Sequence, residues 1–113
     1  MSGAYPDVQL ITGAGRYEVD LLVRKRSTDR CALSGQITAA TEVHEYVCRL
    51  PLALLDATGR RLIAQTRTDE LGEFALGDLP DAPYILRIGA SRDAPLVAVE
   101  MGGDLHAVRT TGL

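Results

Sequence analysis

The chain is 113 residues long, 46% hydrophobic and 24% charged, with a formal net charge of −3. That length suffices for one buried core but not two, and the acidic balance supplies no basic excess that would favour nucleic acid or an anionic lipid surface. No apolar run approaches membrane-spanning length.

The opening "MSGAYPDVQLITG" has neither a basic n-region nor a long apolar h-region. The expectation is a cytoplasmic protein, or a secreted one given without its leader. Cys31 and Cys48 are too far apart for a CxxC pair, and other metal-ligand types are scarce, so two reduced, partly buried thiols are expected. A disulfide between neighbouring strand ends is the alternative. With no asparagine there is no N-glycosylation sequon.

Along the chain the dominant period is two. "RYEVDLLVRK" (16–25) puts Tyr17, Val19, Leu21 and Val23 on one face and Glu18, Asp20 and Arg24 on the other, with Leu22 breaking the polar face. The cluster Arg24, Lys25, Arg26 then marks a strand end entering solvent. "CALSGQIT" directs Leu33, Gly35 and Ile37 inward. "AATEVHEYVCRL" (39–50) has a possible cap in Thr41, but its valines and the following proline argue for a loop or a short turn. "RLPLALLD" is apolar on both faces, with Leu50, Leu52 and Leu54 opposite Ala53 and Leu55. "RLIAQTRT" follows the turn "DATGR", and "EFAL" follows the turn "DELG". Gly59 and Gly72 suit positive φ there, and Asp69 suits an Asx turn. Phe74, the only phenylalanine, is expected at the core centre. "YILRI" sets Tyr84, Leu86 and Ile88 against Ile85 and Arg87, and "PLVAVEM" and "LHAVR" complete the set (95–109). Seven or eight short strands near ten-residue spacing predict an all-β antiparallel sandwich or barrel.

"SGQI" (34–37), "LPLALLDATGR" (50–60), "QTRTDELGEFALGDLP" (65–80) and "YILRI" (84–88) resemble the carboxypeptidase regulatory-like domain, a member of the transthyretin-like, or prealbumin-like, group. The resemblance covers residues 33–90. It implies a Greek-key sandwich of seven to eight strands over the single domain 1–113, and a role without catalysis: packing on a neighbour, presenting an edge strand, or binding a protein. Similar domains also occur in short bacterial proteins. Ala39 stands where the family often has an acid, and a polar insert replaces the usual short turn before the third strand. Ala82 replaces the glycine before the motif tyrosine, which predicts a different turn type there.

Little points to chemistry. His44 and His106 are isolated, and the ureide hydrolase of the same group ends in a Y-R-G-S tail where this chain ends "RTTGL". The H-x-H pair used by related iron dioxygenases is absent. The acids of "TDELGE" and "DLPD" lack calcium-loop spacing and read as turn formers. Lys25 is the only lysine. An isopeptide bond from it to Asp104, assisted by Glu73, is the sharp alternative to an exposed strand-end lysine. No cofactor or metal site is expected. What remains is surface: Leu22, Ala53, Leu55 and Ile85 lie out of phase with the core and, where their strands lie side by side, form one apolar patch for a protein partner or a second copy; the alternative is that the N-terminal segment or an edge loop covers them. An exposed first or last strand is a further docking edge. The alternative is a small-molecule or carbohydrate site on the 39–49 loop with His44 and Tyr46; a ureide hydrolase comes third.

Overall fold

The fold was analysed in a computed structural model that describes residues 8–41, 45–100 and 109–110. The strands are β1 (Val8–Ala14), β2 (Tyr17–Lys25), β3 (Arg30–Ala39), β4 (Pro51–Asp56), β5 (Leu62–Arg67), β6 (Glu73–Pro80), β7 (Pro83–Ile88), β8 (Leu96–Glu100) and the two-residue β9 (Arg109–Thr110). One antiparallel sheet, here sheet A, has the order β1-β2-β3-β6; the other, sheet B, has the order β5-β4-β7-β8-β9. Among the described residues there is no helix. Residues 101–108, which include much of "LHAVR", lie outside the description.

The two sheets share one apolar core, as the alternation predicts. Val19, Leu21 and Val23 of β2 and Leu33 and Ile37 of β3 face Leu52 and Leu54 of β4, Leu86 and Ile88 of β7, and Val97 and Val99 of β8. The most deeply buried large side chains come from the central strands, so the centre lies there. Phe74 is buried but sits on edge strand β6, opposite Gly35, whose missing side chain leaves room for the ring: a Cβ at Gly35 would lie 2.9 Å from the ring and 2.3 Å from the Asp20 carbonyl oxygen.

Strand β1 was not foreseen, and it changes which strands are edges. It pairs with β2 along its whole length through the tight turn at Gly15 and Arg16. Consequently β2 is internal; in the other sheet β8 is flanked at Val97 and Ala98 by β9. The edges are β1 and β6 in sheet A, and β5 and β9 in sheet B.

The reversal expected at Gly59 and the Asx turn expected at Asp69 both form, and Asp56 adds an Asx-type turn to the first. Asp56 Oδ1 accepts from the amides of Thr58, Arg60 and Arg61 and from the Thr58 hydroxyl. The Thr58 hydroxyl first, then those amides, hold the Asp56 carboxyl below its ordinary range. Asp69 Oδ1 accepts from the amides of Leu71 and Glu73, each at 2.9 Å. Gly59 and Gly72 take φ of 74° and 73°. Ala82 is not left-handed; among the described residues the non-glycine positions with positive φ are Arg49 and Asp78. Asp78 sits in a bulge where Gly77 and Asp78 of β6 stand opposite the single residue Ala32 of β3, and Arg30 clips it through Asp78 Oδ1 at 2.9 Å and the Asp78 carbonyl at 3.0 Å.

The segment after β3 turns back along it. Ala39 donates to the Glu45 carbonyl, Val47 donates to the Ile37 carbonyl, and Tyr46 bridges Thr38. Thr68, 3% exposed, fastens this return: its hydroxyl donates to the Val47 carbonyl at 2.6 Å and accepts from the Leu50 amide at 2.8 Å. A Thr68→Val variant keeps the shape but strands both backbone groups. We expect a loss of about 2 kcal/mol in urea unfolding, and a loss below experimental error would show that solvent replaces the hydroxyl.

Candidate functional site

The expected four-residue patch does not assemble as one surface. Leu22 lies on β2 in sheet A, beside Gln9 and Ser34, whereas Ala53, Leu55 and Ile85 lie in sheet B, on the opposite outer face of the sandwich. Alternation assigns a residue to an inner or outer face but not to one of two sheets, hence the error.

Within sheet B the register builds something more ordered. Leu55 of β4 pairs with Leu62 of β5 on one side and Ile85 of β7 on the other, and Ile85 pairs with Ala98 of β8. Leu62, Leu55, Ile85 and Ala98 therefore form one transverse apolar row across four strands. Leu62 enters the row because the β4–β5 register shifts at Leu54/Leu55, leaving Ile63 as the extra residue. Leu62 is 50% exposed, and Leu55, Ile85 and Ala98 are half-buried. The β4–β5 turn approaches the row, since a Cβ at Gly59 would lie 3.6 Å from Ile85 Cδ1.

The next outward row along the strands differs in character. Ala53 pairs with Gln65 and Arg87, and Arg87 with Leu96; one step further, Pro51 pairs with Arg67. Ala53 is buried despite its outward phase, so it is a floor rather than a contact residue. Above it runs an open groove of ≈660 Å³, between Gln65, Arg67 and Arg87 and the turn at Gly89 and Ala90. Arg87 Nε donates to the Gly89 carbonyl at 3.2 Å, and Arg67 Nη1 to the Arg49 carbonyl at 3.4 Å. The groove lining contains no carboxylate.

The loop alternative fares differently. Tyr46 is 54% exposed but carries its backbone in the bridge to Thr38. His44, His106 and Asp104 lie outside the described residues.

A polar cluster closes the end of the sandwich where β2, β3 and the β6–β7 turn meet. Lys25, directly opposite Cys31, turns inward instead of into solvent: Nζ lies 3.0 Å from Asp81 Oδ2, with side chains 27% and 10% exposed. Asp81 is therefore the lysine's ion-pair partner. Glu73 pairs with Gln36, towards the other end of β3, and is no acid for Lys25. The Tyr84 hydroxyl donates to the Pro80 carbonyl at 2.5 Å. Burial first, then the Asp81 carboxylate, pushes the Cys31 thiol up, and a buried thiol so placed is a poor nucleophile. Burial, then Cys31, raises the Tyr84 hydroxyl as well. No disulfide joins the two cysteines, and against the expectation of two partly buried thiols Cys31 is buried and Cys48 exposed. Among the described residues no group of three or more His, Cys, Asp or Glu side chains is placed to hold a metal ion.

The acidic turns are mixed in role. Asp69 shapes a turn, as expected, whereas Asp78 and Asp81 serve ion pairs with Arg30 and Lys25. In comparisons with known proteins, no family model, no curated protein and no solved structure matches the chain.

Proposed function

We propose that the chain is a non-catalytic interaction module that docks a partner protein, or a second copy of itself, on the outer face of sheet B. The observation that carries this reading is the transverse row Leu62, Leu55, Ile85 and Ala98. An outer sheet face is ordinarily polar, and aligned apolar residues across four strands gain most from being covered. The proposal extends to the fold: a Greek-key sandwich of the transthyretin-like group, akin to the carboxypeptidase regulatory-like domain. The Asp69–Gly72 turn, the inward Phe74 and the Tyr84 hydroxyl bond support it from the motif residues themselves.

The test is Leu55→Asp. It places a charge in the middle of the row at a position that is not part of the sealed core. Sedimentation of the purified protein and co-purification from its native cells would both be read. The expected result is loss of self-association, or of a stoichiometric partner, with an unchanged thermal midpoint. Persistence of every complex would overturn the reading.

A further inference from the structure

Resting on that reading, we infer that the occupant of sheet B's outer face is an extended peptide segment carrying a carboxylate and, two residues along, an aliphatic side chain. The inference comes from the juxtaposition of two unlike rows. Arg67 and Arg87 border a groove without any carboxylate, and each guanidinium spends one donor on a backbone carbonyl. Arginine carries five N–H donors in a planar fork, so one carbonyl uses little of that capacity; Arg67 also borders a recess with Asp69 and Glu73, which leaves Arg87 as the principal acid-binding group of the groove. The floor is small: Ala53, flanked by Pro51 and Gly89. A flat acidic group fits over it better than a bulky one.

The spacing supplies the rest. Ala53 and Leu55 are two residues apart on β4, as are Arg87 and Ile85 on β7. Two residues of extended chain advance about 6.7 Å and return the side chain to the same face. A strand-like segment lying along β4 and β7 thus delivers its acid to Arg87 and its aliphatic residue to Leu55 and Ile85 together. The sign of the charge follows from Arg67 and Arg87, and an acid-rich segment also offsets the hairpin arginines Arg60 and Arg61, which are exposed beside Leu62.

The probe is a synthetic nine-residue peptide, Ser-Glu-Thr-Leu-Ser-Glu-Thr-Leu-Ser with blocked ends, titrated into the ¹⁵N-labelled full chain by NMR. A matched peptide with Gln for Glu is the control. We expect saturable shifts centred on Ala53, Leu55, Ile85 and Arg87, and at least tenfold weaker binding of the Gln peptide. Arg87→Gln should weaken the Glu peptide by a similar factor and, separately, Arg67→Gln by less, with thermal midpoints read alongside to show that both variants fold. Absence of saturable shifts, equal binding of the two peptides, or shifts centred elsewhere would overturn the inference. Its failure is distinguishable from failure of the docking face: if Leu55→Asp abolishes a native complex while the Glu peptide shows no preference, the face stands and the acidic grip falls.

Discussion

Replacing Lys25 with methionine is expected to cost about 3 kcal/mol, the scale measured when one member of a buried ion pair is deleted. Asp81, at 10% side-chain exposure, would then lose the ammonium that faces it at 3.0 Å. Its Oδ1 is already a buried atom without a hydrogen-bond partner, which leaves no reserve. For a chain of 113 residues, a loss of about 3 kcal/mol lowers the thermal midpoint by roughly 12 °C. The double variant Lys25→Met, Asp81→Leu removes both charges together and should recover most of the loss. Calorimetry on the two variants decides the matter. A single variant that loses under about 1 kcal/mol would mean that the pair behaves like an exposed one.

Gly72→Ala is expected to be comparably severe, for a reason that belongs to the backbone. The left-handed conformation by itself costs about 1–2 kcal/mol once a Cβ is present. At Gly72 the new carbon would also fall 2.3 Å from the Ile37 carbonyl oxygen and 3.3 Å from the Val47 amide. Neither is the end of a flexible side chain, so β3 and the returning segment must separate. Because Ile37 also donates to the Gly72 carbonyl at 2.8 Å, that movement breaks pairing as well as packing. The total should reach about 4 kcal/mol, a range reserved for core disruption and backbone strain. Gly59→Ala is the natural control. It shares the positive φ, but its nearest neighbour is Ile85 Cδ1 at an ordinary 3.6 Å, so only about 1 kcal/mol is at stake. Equal losses in urea unfolding would refute the steric account.

Much of the fold is legible because its rules are local. The alternation in 17–23, 33–37 and 84–88 names the inward residues, and Asp56, Gly59, Asp69 and Gly72 declare their turns. β1 escaped because Ile11 interrupts the alternation on the outer face, where it is 64% exposed, and glycine follows at 13 and 15. The site was legible only in part. That Leu55 and Ile85 face outward follows from phase, but their being cross-strand neighbours follows from register. Leu62 joins them through a register shift that nothing in "RLIAQTRT" announces. The Arg67–Arg87 groove joins residues 20 apart in sequence across a third strand, and Lys25 meets an aspartate 56 positions away. Such pairings belong to topology, which local composition does not encode.

The bulge at Gly77 and Asp78 carries a consequence for life at high concentration. Among the described residues strand β6 is a margin of sheet A, and a straight margin offers a ready template on which another chain can zip and fibres can grow. The two bulged residues, one of them left-handed and pinned by Arg30, stand against one on β3 and interrupt the regular sequence of donors and acceptors a newcomer would need. An irregularity that weakens one ladder thereby helps keep neighbouring molecules apart, so that association is steered away from this margin.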